Sequence, residues 1–417
     1  MNQDATSSPA SGRRAAATAF VLVTVTLDVL ALGIVGPVWP GLIKGFLGGH
    51  SASAAAWFGV FGTVFAVMQF FFSPLLGALS DRFGRRPVIL LSNFGLAFDY
   101  LVMALAPSLG WLFVGRIFAG VTSAGYSTAY AYIADVTPPE KRAGAFGMIG
   151  AAFGLGFIFG PVLGGVLGQF DTRLPFWVAG GLSLLNGLYG LIVLPESLRR
   201  EDRAAFSLKR ANPVAALGLL RSRPQLLGLA SINFIVQVVH AVFTTVWVLY
   251  VADRYRWTPM WVGLSMGIVG ISSAVIQAGV VRAVVARIGE RAAMLTGLLF
   301  AAAGFLIFAM ASEGWMFLVG IPILSLWGLT GPSVQSLMSR SVGPSEQGRL
   351  QGANTSLTSV AGLIGPGLFS AVFAWTLANR QWGVPGLPFV LAAALMLTAM
   401  FTAWRVTGRM APASQPA

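Results

Sequence analysis

The chain contains no cysteine, only two histidines, His50 and His240, and only 14 acidic residues in 417. The lack of cysteine excludes disulfides, thiolate nucleophiles and cysteine metal sites. Two histidines are too few for a histidine-rich metal site, so no metal and no cofactor is expected. No nucleophile cluster is visible either, which argues against an enzyme. Charge as a whole is scarce. It amounts to 10% of residues, where a soluble domain carries about a quarter. Strict alternation of apolar and polar residues is also missing, which excludes a membrane β-barrel. No short apolar core followed by a small-residue cleavage site opens the chain, so a cleaved signal peptide is not expected.

What the chain has in abundance is apolar length. Hydrophobic residues make up 56% and the mean hydropathy is +0.77. Apolar runs near the length of a bilayer-crossing helix recur along it. Twelve spans are predicted, near 16–38, 54–79, 87–107, 111–134, 143–168, 174–194, 225–252, 260–283, 291–311, 315–339, 350–376 and 385–405. With the N-terminus inside, the inner loops collect most of the arginines, among them Arg82, Arg85, Arg86, Arg142, Arg199, Arg200, Arg203, Arg287 and Arg291. The outer loops hold only Lys44, Arg173, Arg254, Arg256 and Arg380. That asymmetry predicts cytoplasmic termini. The net charge of +13 is then a topology signal and not a nucleic-acid footprint.

The expected organisation is a disordered tail over 1–15, a six-helix bundle over 16–194, a charged cytoplasmic linker over 195–224, a second bundle over 225–405 and a tail over 406–417. A surface helix is expected near Phe206–Leu220. The bundles repeat in sequence. Gly84 recurs as Gly289, Gly147 as Gly352, and Gly160-Pro161 as Gly365-Pro366, at a constant offset of 205 residues. Arg82 and Arg86 recur as Arg287 and Arg291. Two pseudo-symmetric bundles follow, with a working cavity between them. The second copy reads as degenerate, since Ala286 stands for Asp81 and Glu290 for Arg85.

Three ionisable residues lie deep in first-half spans: Asp28, Asp99 and Arg116. At about 1.5 Å per helical residue they lie about 9–15 Å from the outer span ends. Charge at that depth is costly and marks function by default. Arg116 is closer in depth to Asp99, which leaves Asp28 as the expected proton carrier; a buried ion pair that only fixes packing is the competing reading. The second half offers neutral polarity instead: Asn233, Gln237, His240, Gln277 and Gln335. With Gln69 these suit an amphipathic pocket, and Trp247 and Tyr250 suit flat ring systems. For each of them ordinary helix packing is the bland alternative.

Two motifs stand out. The hinge Gly77 to Pro87 joins two spans as a short charged loop, with Gly84 in it. Asp81 beside Arg82, Arg85 and Arg86 suits a latch, with Asp135 at the inner end of span four as a further partner. In span five, Gly156, Gly160, Pro161, Gly164 and Gly165 suit close helix approach and a bend, hence a pivot where the halves meet.

Together these residues resemble the major facilitator superfamily, and within it the twelve-span drug:proton antiporters. Gly77 to Pro87 resembles the signature loop between spans two and three. The span-five glycines resemble the antiporter motif, Arg116-x3-Gly120 the span-four motif, and Pro37-Val38-Trp39-Pro40 the motif closing span one. The nearest resemblance is to the tetracycline/proton antiporters, through Ser80 to Leu91, Phe153 to Gly165, Thr245 to Leu249 and Ser312 to Trp315. That resemblance implies functional roles for Asp28, Gln69, Asp81, Arg85, Asp99 and Arg116. It implies an all-α protein with the major facilitator fold in a bacterial inner membrane. The function it implies is proton-driven efflux of amphipathic small molecules by a monomer, without nucleic acid. An importer or symporter on the same fold and a non-transporting sensor are the alternatives. The antiporters carry an aspartate in span nine where this chain has Ala301, which implies weak or absent tetracycline export.

Overall fold

A chain in lipid must pair its backbone N–H and C=O groups within each segment, which favours helices. The computed structural model describes residues 9–137, 142–203, 218–221, 223–343 and 346–408, and among these no residue is in a strand. Residues 1–8, 206–217 of the expected surface helix, and 409–417 of the expected tail lie outside the described residues.

The first half carries α1 (Pro9–Val35), α2 (Trp39–Phe46), α3 (Ser51–Phe83), α4 (Arg85–Leu105), α5 (Leu109–Thr122), α6 (Gly125–Val136), α7 (Arg142–Phe170) and α8 (Leu174–Val193). The second carries α9 (Pro224–Thr245), α10 (Trp247–Arg254), α11 (Pro259–Val275), α12 (Val281–Met310), α13 (Gly314–Ser325), α14 (Thr330–Arg340), α15 (Gln347–Ala378) and α16 (Leu387–Gly408). Among the described residues nine stretches are long and apolar enough to cross a membrane, and α1 with α2 makes a tenth as a pair bent by 42°. One stretch, Pro259–Met310, has 52 residues, length for two crossings at about 20 residues each.

Several expected boundaries move. The helix begins at Pro9 and not near residue 16, because proline suits a helix start and an alanine run follows it. The hinge Gly77 to Pro87 is not a loop. Helix α3 continues to Phe83 and α4 restarts at Arg85, so Gly84 alone breaks the path, with φ 110° and ψ 163°. That region is open in practice only to glycine. Likewise the expected gap between 283 and 291 shrinks to Gly289, at φ 76° and ψ 164° inside α12. One residue turns the chain in each half, and the flanking residues stay helical.

The chain divides into two compact units. The first comprises Met1–Trp39 and Val67–Ala211, the second Pro40–Ala66 and Asn212–Ala417. Helix α3 therefore contributes its first half to the second unit and the remainder to the first. In the first unit Val25, Val29, Tyr132, Ile133 and Ile149 form a buried core. There α1 lies against α7 at backbone distance. A Cβ on Gly160 would stand 2.7 Å from Gly33 Cα and 2.8 Å from Leu30 O, and one on Gly156 2.7 Å from Val29 Cβ. A Cβ on Gly164 would collide with Ile34 O, and Gly165 is buried beside it. The span-five glycines, expected at a pivot where the halves meet, are thus occupied within one unit, seating α1. The second unit repeats the contact in α15, where a Cβ on Gly365 would meet Ala241 Cβ at 2.6 Å and Val238 O at 2.9 Å. Its core is aromatic: the Phe308 and Phe317 rings stack at 4.1 Å, and Phe305 and Phe389 are fully buried.

Candidate functional site

The two deep carboxylates of the first unit have opposite surroundings. Asp99 on α4 is wholly buried and forms an ion pair with Arg116 on α5. The Arg116 guanidinium also lies over the Trp39 ring at 4.1 Å. Ion pairing and a cation–π face together offset the desolvation of a buried cation. Asp28 on α1 is 4% exposed and forms no ion pair among the described residues. Two carboxamides hold it instead. Asn186 on α8 donates to Asp28 Oδ1 at 3.0 Å and to Thr24 O at 3.1 Å. Asn93 on α4, with its nitrogen turned toward two acceptors, donates to Asp28 Oδ2 and to Ile89 O, both at 3.2 Å. Both asparagines are buried. A carboxyl held by neutral donors can gain or lose a proton without stranding a cation, whereas one locked to Arg116 cannot.

The fourth span breaks beside this pair. Helix α5 ends at Thr122 and α6 starts at Gly125. Ser92 on α4 satisfies the backbone freed there, donating to Thr122 O at 2.7 Å and accepting from Ala124 N at 3.3 Å. Gln69 Nε2 donates to Ser123 Oγ at 2.9 Å. A Cβ on Gly125 would lie 3.9 Å from Asp28 Oδ2. Gln69 and Asp28 therefore meet at one helix interruption. Asn93 and Asn186 had no signal in the sequence, since asparagine in an apolar run reads as generic helix-to-helix hydrogen bonding.

In the second unit the expected ligand contacts separate. Gln237 Nε2 donates to Thr358 Oγ1 at 2.8 Å. Gln277 is exposed, on a π-helical turn over Ile276–Val280 between α11 and α12; such turns recur at functional sites. Trp247 does not offer a ring to a ligand. It is 1% exposed, its Nε1 donates to Ser265 Oγ at 3.1 Å, and Phe308 and Phe317 pack edge-on against it. Tyr250 is likewise core. Phe243 and Trp327, both half-buried, stack at 5.9 Å, with the exposed His240 ring beside both. Ala301 is fully buried in this unit's core.

At the Gly84 break, charge fastens the helix ends. Arg85 pairs with Asp81 and, through Nε, with Asp135 at 3.1 Å. Ser197 Oγ donates to Asp135 Oδ2 at 3.0 Å. Arg86 Nη2 donates to Leu191 O at 2.6 Å, and Arg82 lies over Phe83 at 5.2 Å. Gly77 meets nothing within 4 Å, so it contributes no close approach. The residue missed in the sequence is Glu196, just past α8. Its carboxylate occupies the place a Cβ on Gly84 would take and accepts from Arg85 N at 2.8 Å and Arg86 N at 3.3 Å. Among the described residues no cluster of three or more His, Cys, Asp or Glu could hold a metal.

Nine apolar stretches of crossing length among the described residues, a tenth as a bent pair, glycine-seated helices and buried charge mark a multi-pass membrane protein. The chain matches the family model for the Major Facilitator Superfamily over residues 21–366 and belongs to that superfamily. It is 40% identical over 380 residues to the class C tetracycline resistance protein of Escherichia coli, covering 91% of this chain and 94% of that one. The class B tetracycline resistance protein of Escherichia coli is 36% identical over 358 residues, covering 85% and 88%. Among solved structures, the human organic anion transporter MFSD10 superposes with a TM-score of 0.69 at 26% identity, covering 94% of this chain and 99% of that one. The nucleoside transporter NupG superposes with a TM-score of 0.76 at 12% identity, over 93% and 98%, a likeness of fold alone.

Proposed function

We propose that this protein is a proton-driven efflux antiporter that exports amphipathic, ring-bearing compounds from a bacterial cytoplasm by alternating access. The observation that carries the reading is the unequal pair of buried carboxyls: Asp99 is committed to Arg116, while Asp28 is held only by amides. In this reading Asp28 exchanges the proton, and Asp99 with Arg116 anchors the ligand-facing charge. Gln69, Gln237 and Gln277 supply polar contacts to the ligand, and Phe243 and Trp327 its flat apolar wall. Asp81, Arg82, Gly84, Arg85, Arg86 and Asp135 latch the inner ends of the helices. Helix α7, with Gly156, Gly160, Pro161, Gly164 and Gly165, serves as the bearing on which α1 moves. The chain works as a monomer in the inner membrane with both termini cytoplasmic, as two six-helix bundles joined through 195–224.

The names of the relatives make tetracycline-type fused rings the first compounds to test, beside other planar or amphipathic compounds, since Ala301 stands where the resemblance implies an acid. The deciding experiment is uphill transport in proteoliposomes of known orientation with an imposed pH gradient. Substrate should move against its gradient while protons run down theirs. Accumulation in the same direction as the protons would make the chain a symporter. No substrate-dependent proton flux across a broad panel would make it a sensor.

A further inference from the structure

In both units a glycine of the same backbone conformation breaks a helix, and the next residue is charged. In the first unit that residue is Arg85, paired with Asp135. In the second it is Glu290, paired with Arg340. Each partner lies 50 residues further along the chain, so the two pairs sit at the same offset as Gly84 and Gly289. The charges are exchanged between the two partners. In each case a serine hydroxyl also donates to the acid: Ser197 to Asp135 at 3.0 Å and Ser336 to Glu290 at 3.3 Å. The acid is equally sheltered in both, with 21% of its side chain exposed. Read in sequence alone, Glu290 looks like the loss of Arg85. With its partner in view, it is an inversion that keeps the attraction.

We propose that Glu290 and Arg340 form a second brace of reversed polarity, required for the transport cycle in the second unit as the Arg85–Asp135 pair is in the first. This rests on the transporter reading above. The two braces differ in redundancy. Gly84 is backed by Asp81 and by Glu196, whereas Ala286 stands where Asp81 would recur and a Cβ on Gly289 would meet nothing within 4 Å. Among the described residues one ion pair, Glu290–Arg340, joins α12 to the end of α14 at the Gly289 break, beside two neutral hydrogen bonds, Ser336 Oγ to Glu290 at 3.3 Å and Arg291 Nε to Thr407 Oγ1 at 3.0 Å. Losing either partner removes the one charged contact there.

The test uses the full-length chain, whose lack of cysteine allows clean labelling. Glu290→Gln and Arg340→Gln are compared with the exchange Glu290→Arg combined with Arg340→Glu, which copies the polarity of the first unit. Each single variant, inserted normally in the membrane, should lower maximal uphill transport by about fivefold with KM unchanged. The exchange should restore more than half the rate. A second readout does not depend on substrate: spin labels at Ala286→Cys and Ser339→Cys should show a broadened distance distribution in the single variants and a narrow one in the exchange. Single variants at wild-type rate, or an exchange no better than either, would overturn the proposal. If the wild-type protein transports nothing, the antiporter reading falls and the label distances alone decide the brace.

Discussion

At the scale of single residues, the first unit gives its two buried acids different partners. Asp99 and Arg116 neutralise each other, so removing one strands the other. Arg116→Leu should destabilise the protein by about 3–5 kcal/mol, seen as a large drop in the unfolding temperature of the detergent-solubilised protein, and Asp99→Asn combined with Arg116→Gln should recover most of it. Asp28 predicts differently. An amide at 28 keeps the shape, and Asn93 can turn its carboxamide to meet it. Asp28→Asn should therefore stay folded and bind ligand, yet lose ligand-induced proton release and uphill export; purified protein in weak buffer reads the first and proteoliposomes the second. An Asp28→Asn protein that still pumps uphill would transfer the role to Asp99. Asn186→Leu removes a donor from both Asp28 and Thr24 O and should cost about 1–3 kcal/mol.

At the scale of helices, the informative places are interruptions. Gly84 and Gly289 share a conformation, but only Gly84 has a carboxylate where a side chain would go. Gly84→Ala should therefore be the worse of the two substitutions. Both carry backbone strain of about 1–3 kcal/mol, and only Gly84→Ala must also expel Glu196 from the start of α4. Thermal unfolding and transport measured on the two variants side by side check the order; equal effects would mean that Glu196 is a passive neighbour. Helix α7 allows a similar contrast. Gly160→Leu drives a side chain into the α1 backbone and should abolish transport, whereas Gly150→Ala and Gly154→Ala, with nothing within 4 Å of the added atom, should be close to neutral.

At the scale of the whole molecule, membership of the superfamily and the relatives' names bear on what crosses the membrane. In an efflux-deficient bacterium, expression of the chain should raise resistance to planar or amphipathic compounds, with fused-ring, tetracycline-type compounds on the panel, and dissipating the proton gradient should abolish that resistance. Asp28→Asn should match the uncoupled cells. Resistance that survives uncoupling would argue for a different energy source.

Membrane class, helix content and the internal repeat were legible in the residues themselves. Apolar length and the expense of unpaired backbone in lipid leave the chain few other options, and a constant offset of 205 is a property of the string. That Asp28, Asp99 and Arg116 lie inside apolar helices was legible too, and all three are buried. What lay beyond the sequence was partnership. Arg116 pairs with Asp99 as their similar place along the spans suggested, but that Asn93 and Asn186 converge on Asp28, that Glu196 fills the Gly84 break, and that Trp247 is core while Trp327 is half-open all depend on rotation about helix axes and on packing between distant segments. The same limit explains Glu290. Its charge had no meaning until Arg340, 50 residues away, was brought against it, because electrostatic attraction acts through space and the sequence records only order along the chain.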